Sequence, residues 1–106
     1  MADNGFINRL ACVIGADGSI IRGFMIDKCQ LKGEHEYLIT WQVPLQGNDA
    51  KTNFAGTIGS ATGEYVEPGF ITVGLTKNPN EMQIHTYDIN GKPARRPFHI
   101  ACFRDH

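Results

Sequence analysis

Short segments of alternating apolar and polar residues follow one another along almost the whole chain, and glycine, proline, asparagine or aspartate separates them. There are about eight such segments, roughly 10–12 residues apart. Alternation with a period of two is the pattern of a β-strand that is buried on one face. No stretch sustains the 3.6-residue period of an amphipathic helix. The pattern predicts an all-β fold, a single antiparallel β-sandwich or barrel of about eight short strands.

The 106 residues suit one domain with a modest core. We expect a polar arm over residues 1–8 and a single β domain over residues 9–106. The last two strands are expected to pair as a long hairpin around Asn90-Gly91, a dipeptide that favours tight turns. In chain order, the strands are predicted at residues 10–14, 19–25, 27–32, 36–43, 54–59, 70–76, 81–88 and 98–103.

Composition excludes several classes of protein. The net charge of −1 provides no surplus of lysine and arginine for generic nucleic-acid binding. No apolar run is long enough for a transmembrane helix, so we expect no membrane insertion. No secretory signal is visible. We therefore expect a protein that stays in the cytoplasm, or one that is released or assembled into a virion by a signal-independent route.

The three cysteines, Cys12, Cys29 and Cys102, are odd in number and widely spaced. This arrangement argues against a disulfide framework or a zinc site, and we predict no metal and no cofactor. Cys12 and Cys102 fall within apolar strand patterns and are expected to be small buried side chains. Other expected core residues are Trp41, Phe24, Phe54, Phe70 and Phe98.

The predicted terminal hairpin carries apolar residues on both faces, and its register places His85 and His99 on one outer face. A small monomer rarely exposes such a strip, so we expect an interface between identical copies, with a trimer as the first expectation. Protonation at about pH 6 would then load the interface with like charges. The two histidines also leave a metal site or an enzyme as a minor alternative. The predicted interface residues are His85, Tyr87, His99 and Phe103.

The longest irregular stretch, residues 60–69, contains Tyr65 between Glu64 and Glu67. An aromatic ring flanked by carboxylates suits sugar recognition, because the ring stacks on a pyranose face while the carboxylates bind hydroxyl groups. The alternative is that Tyr65 folds back and plugs one end of the sandwich. Neighbouring turns are expected to add polar contacts to a ligand from Asn78, Asn80 and Asp88.

Three sequence segments, GxxEYLITW, PGFITV and IHTYDINGKPARRPFHIACF, together resemble small all-β domains of bacterial and phage surface proteins, including tail-fibre ends. The resemblance covers most of the chain, about residues 10–103. It implies a compact β-sandwich that often associates through like copies, and it assigns no binding residue. A shared fold alone does not establish a shared activity.

Nucleophile elbows, glycine-rich phosphate loops and His-Glu-x-x-His motifs are absent from the sequence. We therefore expect a non-enzymatic oligomeric binding module that recognises a carbohydrate or another surface receptor through its loops. The alternative is a structural or assembly component, of the tail-fibre or injection-machine type, without a small ligand.

Overall fold

Eight β-strands form the regular structure in the computed structural model, which describes residues 9–45 and 51–105. Neither of these ranges contains a helix. All eight predicted strands are confirmed, with small shifts at their ends, whereas the predicted arm over residues 1–8 lies outside the described residues. The strands are β1 (Arg9–Ile14), β2 (Ile20–Phe24), β3 (Ile26–Lys32), β4 (Glu36–Trp41), β5 (Lys51–Ile58), β6 (Phe70–Leu75), β7 (Glu81–Tyr87) and β8 (Phe98–Asp105).

The strands form two antiparallel sheets of four. Sheet A has the order β2-β1-β8-β5, and sheet B has the order β3-β4-β7-β6. Every strand except the edge strand β2 turns apolar positions toward the opposite sheet, so that the two inner faces enclose one core. The predicted all-β sandwich is confirmed, since alternating strands of this kind bury one face and leave the other in water.

The expected terminal hairpin is wrong. β7 pairs with β4 and β6 in sheet B, whereas β8 pairs with β1 and β5 in sheet A. The tight turn at Gly91 does form, with φ +81, but it closes locally because the amide of Asp88 donates to the carbonyl of Lys92. The connection over residues 88–97 then crosses between the sheets, so that the apolar faces of β7 and β8 meet across the core.

The core joins the two sheets through aromatic and aliphatic side chains. Tyr37 of β4 meets Phe98 of β8 edge-on, with ring centroids 4.8 Å apart. Trp41 is 1% exposed, which confirms its predicted role as a core anchor. The buried apolar residues are Leu10, Cys12, Ile14, Tyr37, Ile39, Trp41, Leu45, Met82, Ile84, Phe98, Ile100 and Cys102.

Two of the phenylalanines predicted for the core lie instead on outer faces. Phe24 is 40% exposed and Phe70 is 56% exposed. Both are at strand ends where the alternation assigns the inward positions to their neighbours, as it does to Ile71 beside Phe70. Phe98 is buried and Phe54 packs against the core, so the prediction is confirmed for these two.

The buried thiols strongly favour their neutral form. Burial raises the pKa of Cys12 and of Cys102 to about 12, and the pKa of Cys29 to about 11, because an apolar interior disfavours a thiolate. Cys12 and Cys102 are buried, as the strand patterns predict. All three thiols are free.

These thiols should make stability fall at alkaline pH. The unfolded thiol releases its proton near the ordinary pKa of 9.0, whereas the folded thiols hold theirs to about 11 or 12. Their stabilising contribution is therefore fully present below pH 9 and is lost as the pH rises toward the folded-state values, by up to about 1.4 kcal/mol per pH unit and thiol. Urea unfolding measured from pH 8 to pH 11 checks this. The Cys12→Ala variant should show a shallower decline, and an equal slope in both proteins would contradict the assignment.

Candidate functional site

Four connections meet at one end of the sandwich, which we call the upper end. They are the β1–β2 turn (residues 15–19), the β3–β4 turn (33–35), the β5–β6 loop (59–69) and the β7–β8 connection (88–97). Hydrogen bonds join the last three of them. The β7–β8 connection contacts both the β5–β6 loop and the β3–β4 turn, through the arginine side chains at positions 96 and 95. The opposite end of the sandwich is the lower end.

The β1–β2 turn is held in shape by its aspartate. Oδ1 of Asp17 accepts hydrogen bonds from the amide of Ser19 at 3.0 Å and from its hydroxyl at 2.7 Å. Gly18 follows with φ +89, a conformation that glycine adopts without strain. The Ser19 hydroxyl is the main cause that lowers the pKa of the Asp17 carboxyl, so Asp17 is ionised at neutral pH.

A tyrosine from the core fixes this turn to the opposite sheet. The hydroxyl of Tyr37 donates a 2.7 Å hydrogen bond to the carbonyl of Ala16, next to Asp17. The Tyr37 ring is fully buried between the sheets. The position of the Asp17 carboxylate is therefore determined from within the core.

The β5–β6 loop carries a second polar cluster. The Ser60 hydroxyl donates to Oε1 of Glu64 at 3.0 Å and lies 2.8 Å from the Thr62 hydroxyl. The amide of Thr62 also donates to the Ser60 oxygen, at 3.1 Å. At the start of the loop, the amide of Gly59 donates to the carbonyl of Pro97. These bonds hold the alternating side chains of Ser60, Thr62 and Glu64 together.

The two polar clusters line one pocket of about 380 Å³ at the upper end. Carboxylates and hydroxyls come from both the turn and the loop, while Val13, Ile21 and Pro97 supply apolar surface. The polar residues of the lining are Asp17, Ser19, Ser60, Thr62 and Glu64.

The pocket combines hydrogen-bond acceptors with an apolar wall. Within the described part of the chain, the hydrogen bonds to the two carboxylates use Oδ1 of Asp17 and Oε1 of Glu64. Oδ2 of Asp17 and Oε2 of Glu64 thus remain available to accept bonds from a ligand. Ionised carboxylates only accept hydrogen bonds, whereas the serine and threonine hydroxyls both donate and accept. This set of groups suits a ligand that presents several hydroxyl groups and one apolar face.

The predicted ligand residues in the β5–β6 loop do not all share this pocket. Glu64 lines it, and Tyr65, 83% exposed, follows directly in the chain. Such exposure rules out the alternative in which Tyr65 folds back as a plug. Glu67 lines a different depression, beside Thr57 and Phe70 between β5 and β6.

The three predicted contacts from neighbouring turns have structural roles. Asn80 lies in the β6–β7 turn at the lower end, where its side-chain amide donates to the carbonyl of Trp41 at 3.1 Å. Asn78 is in the same turn and accepts a bond from the amide of Asn80. Asp88 braces the β7–β8 connection by accepting the amides of Asn90 and Lys92. The bond from the Lys92 amide is also the main cause that lowers the pKa of the Asp88 carboxyl.

The four predicted interface residues are split between opposite faces of the molecule. His85 and Tyr87 lie on the outer face of sheet B, with ring centroids 5.2 and 5.3 Å from that of His35. His99 and Phe103 lie on the outer face of sheet A. The shared face predicted for His85 and His99 is wrong, because β7 and β8 belong to different sheets.

Sequence reasoning overlooked most of the pocket. The sequence patterns place Asp17 in a turn, Ser19 at the start of the second strand, and Ser60 and Thr62 in an irregular stretch, and they give none of these residues a binding role. A local signal does exist, because Ser60, Thr62 and Glu64 are polar residues that lie close together in one loop. The proximity of residue 17 to residue 64 depends on the topology and has no local signal.

Metal ligands and membrane-spanning helices were sought over residues 9–45 and 51–105. No group of three or more His, Cys, Asp or Glu side chains in these ranges is arranged to hold a metal ion. The same ranges contain no helix of the length and apolar character needed to cross a membrane. Comparison with known proteins adds no assignment, since no family model, no curated protein and no solved structure matches the chain.

The end of the β5–β6 loop should tolerate no side chain at Gly69. A Cβ atom there would overlap the carbonyl oxygen of Tyr87, a backbone atom that cannot move aside alone. We expect Gly69→Ala to lower the free energy of unfolding by about 2–4 kcal/mol. Gly74→Ala, in the strand β6 that follows, is the matched control, because the nearest atoms lie 3.8 Å away. Urea denaturation checks the difference, and equal stabilities of the two variants would contradict it.

Removing the Tyr37 hydroxyl should loosen the β1–β2 turn. In Tyr37→Phe the Ala16 carbonyl loses its partner while the ring stays in the core, which should cost about 1–2 kcal/mol of stability. Tyr65→Phe provides the control, since that ring is 83% exposed and no stability change is expected. Thermal unfolding compares the two, and amide hydrogen exchange at Asp17 and Ser19 should accelerate only in Tyr37→Phe. Unchanged exchange there would show that the turn does not depend on Tyr37.

Proposed function

We propose that this chain is a non-enzymatic binding module whose upper-end pocket recognises a carbohydrate or another polyhydroxylated surface receptor. The observation that carries the proposal is the convergence of two carboxylates and three hydroxyls, from two separate connections, on one pocket of about 380 Å³. This volume lies within the usual range of small-molecule sites. The proposal keeps Glu64 as a ligand-binding residue and adds Asp17.

The chemistry of the pocket favours sugars over simple ions. Oδ2 of Asp17 and Oε2 of Glu64 would each accept a hydrogen bond from a ligand hydroxyl, and such charge-assisted bonds are the stronger ones. Ile21 and Pro97 would cover the apolar face of a sugar ring. The exposed ring of Tyr65, next to Glu64, would stack on a second sugar unit outside the pocket.

The state of Asp17 argues against a role as the general acid of a glycosidase. Glycoside hydrolysis needs a carboxylic acid whose pKa is raised, so that it can protonate the leaving group. The pKa of Asp17 is shifted the opposite way by the hydrogen bonds from Ser19. An ionised, hydrogen-bonded carboxylate is better suited to orient a ligand than to donate a proton.

The resemblance to small β domains of bacterial and phage surface proteins also supports a role in surface recognition. A structural or assembly component remains the second candidate, and the apolar outer face of sheet A favours it. A site that joins His85 and His99 receives no support, because these residues lie on opposite faces.

Glycan-array screening of the wild-type protein, followed by calorimetry with the best ligand, tests the proposal. We expect Glu64→Gln to weaken binding about 10-fold or more, because a charge-assisted hydrogen bond is replaced by a weaker one. Glu67→Gln, in the same loop but outside the pocket, is the matched control and should bind like wild type. Protonation of Asp17 should not weaken binding between pH 7 and pH 5, since the pKa of Asp17 lies below its usual 3.8.

Two results would count against the pocket. One is the absence of any glycan ligand on the array for a folded protein. The other is an equal effect of the Glu64 and Glu67 substitutions, which would place the ligand elsewhere on the loop.

A further inference from the structure

The outer face of sheet B is more polar than that of sheet A. Charged and polar side chains predominate on the outer face of sheet B, as expected for a surface in water. They include Lys28, Gln30, Lys32, Glu36, Thr40, Glu81 and Gln83. On the outer face of sheet A, apolar side chains gather in a central row, with polar and charged residues in the rows on either side of it. The apolar residues are Ala11, Val13, Phe24, Ala55, Ala101 and Phe103, and the polar ones include Arg9, Arg22, Asn53, Thr57 and His99.

Pairing register brings the smallest of these residues into one row. Phe24, Ala11, Ala101 and Ala55 lie side by side across the four strands of sheet A. The three alanines form the floor of a depression of about 540 Å³. Arg22 is the charged residue in its lining, and no acidic residue lines it. A face of this kind is poorly hydrated.

A protruding ring adjoins the depression. Phe103 is 51% exposed and lies two residues beyond Ala101 on the same face of β8. A protrusion and a hollow next to each other on one surface make that surface self-complementary. Consider a two-fold axis that runs at right angles to the strands, midway between Phe103 and Ala101. Such an axis would place Phe103 of each copy opposite the alanine floor of the other.

We propose that the outer face of sheet A packs against the same face of a second copy of this chain. Four strands at 4.8 Å spacing, each with about six residues at 3.3 Å, give a face of roughly 19 by 20 Å. Two such faces cover roughly 800 Å² in all, which is the size of a weak or transient interface. We therefore expect a weak sheet-on-sheet dimer that forms at high protein concentration.

This geometry specifies a dimer. A three-fold ring cannot pack one flat face against the same face of its neighbour, so the trimer expected from the sequence would need a different surface. The inference is independent of the pocket, which opens at the upper end. It retains His99 and Phe103 as interface residues and leaves His85 and Tyr87, on the opposite face, outside.

Sedimentation velocity of the full chain at 5, 50 and 200 μM tests the proposal. The wild-type protein should shift from monomer toward dimer across this series. Ala101→Glu should remain monomeric at 200 μM, a weakening of 100-fold or more, because it places a charge in the centre of the apolar face. Phe103→Lys, at an exposed position, should also remain monomeric, and it still tests the proposal if Ala101→Glu misfolds. Gln83→Glu, central on the outer face of sheet B, is the control and should dimerise like wild type.

Circular dichroism and thermal unfolding confirm that each variant is folded. A wild-type protein that stays monomeric at 200 μM would overturn the proposal. So would dimerisation of both folded sheet A variants, an equal loss in Gln83→Glu, or a closed trimer.

Discussion

The contact between Tyr37 and Phe98 links the packing of the two sheets to the shape of the pocket. Its two rings come from central strands of opposite sheets and meet edge-on at 4.8 Å, so they help to set the spacing of the sandwich. Burial raises the pKa of Tyr37 and keeps its hydroxyl protonated. That hydroxyl reaches the Ala16 carbonyl and positions the turn that presents Asp17. The shape of the pocket thus depends on packing in the core.

Local alternation determines the strands here, whereas the partner of each strand depends on contacts between distant residues. Met82, Ile84 and Thr86 face inward as their period of two predicts. The same pattern holds for Phe98, Ile100 and Cys102, yet the two strands do not pair. The turn at Asn90-Gly91 forms as its sequence favours, but it closes within a longer connection. A local turn signal therefore cannot establish which strands it joins.

Only the part of the candidate site that lies in a single segment of the chain could be predicted from the sequence. Glu64 could be singled out because it flanks the aromatic ring of Tyr65 in the longest irregular stretch, and it lines the pocket. Asp17 is distant in sequence and reaches the same pocket through the fold. Asn78 and Asn80 lie away from this pocket, because the β6–β7 turn is at the other end of the strands. The direction of each strand decides which turns are neighbours.

The antiparallel pairing of β1 and β8 has a mechanical consequence. Arg9 pairs with Phe103, so β1 begins and β8 finishes side by side at the lower end. A pulling force applied through these two strand ends would break the ladder between them one hydrogen bond at a time, like a zipper. A force between the lower end and a ligand held in the pocket runs along the strands and shears many bonds together. The fold should therefore resist tension better in that second direction than in the first.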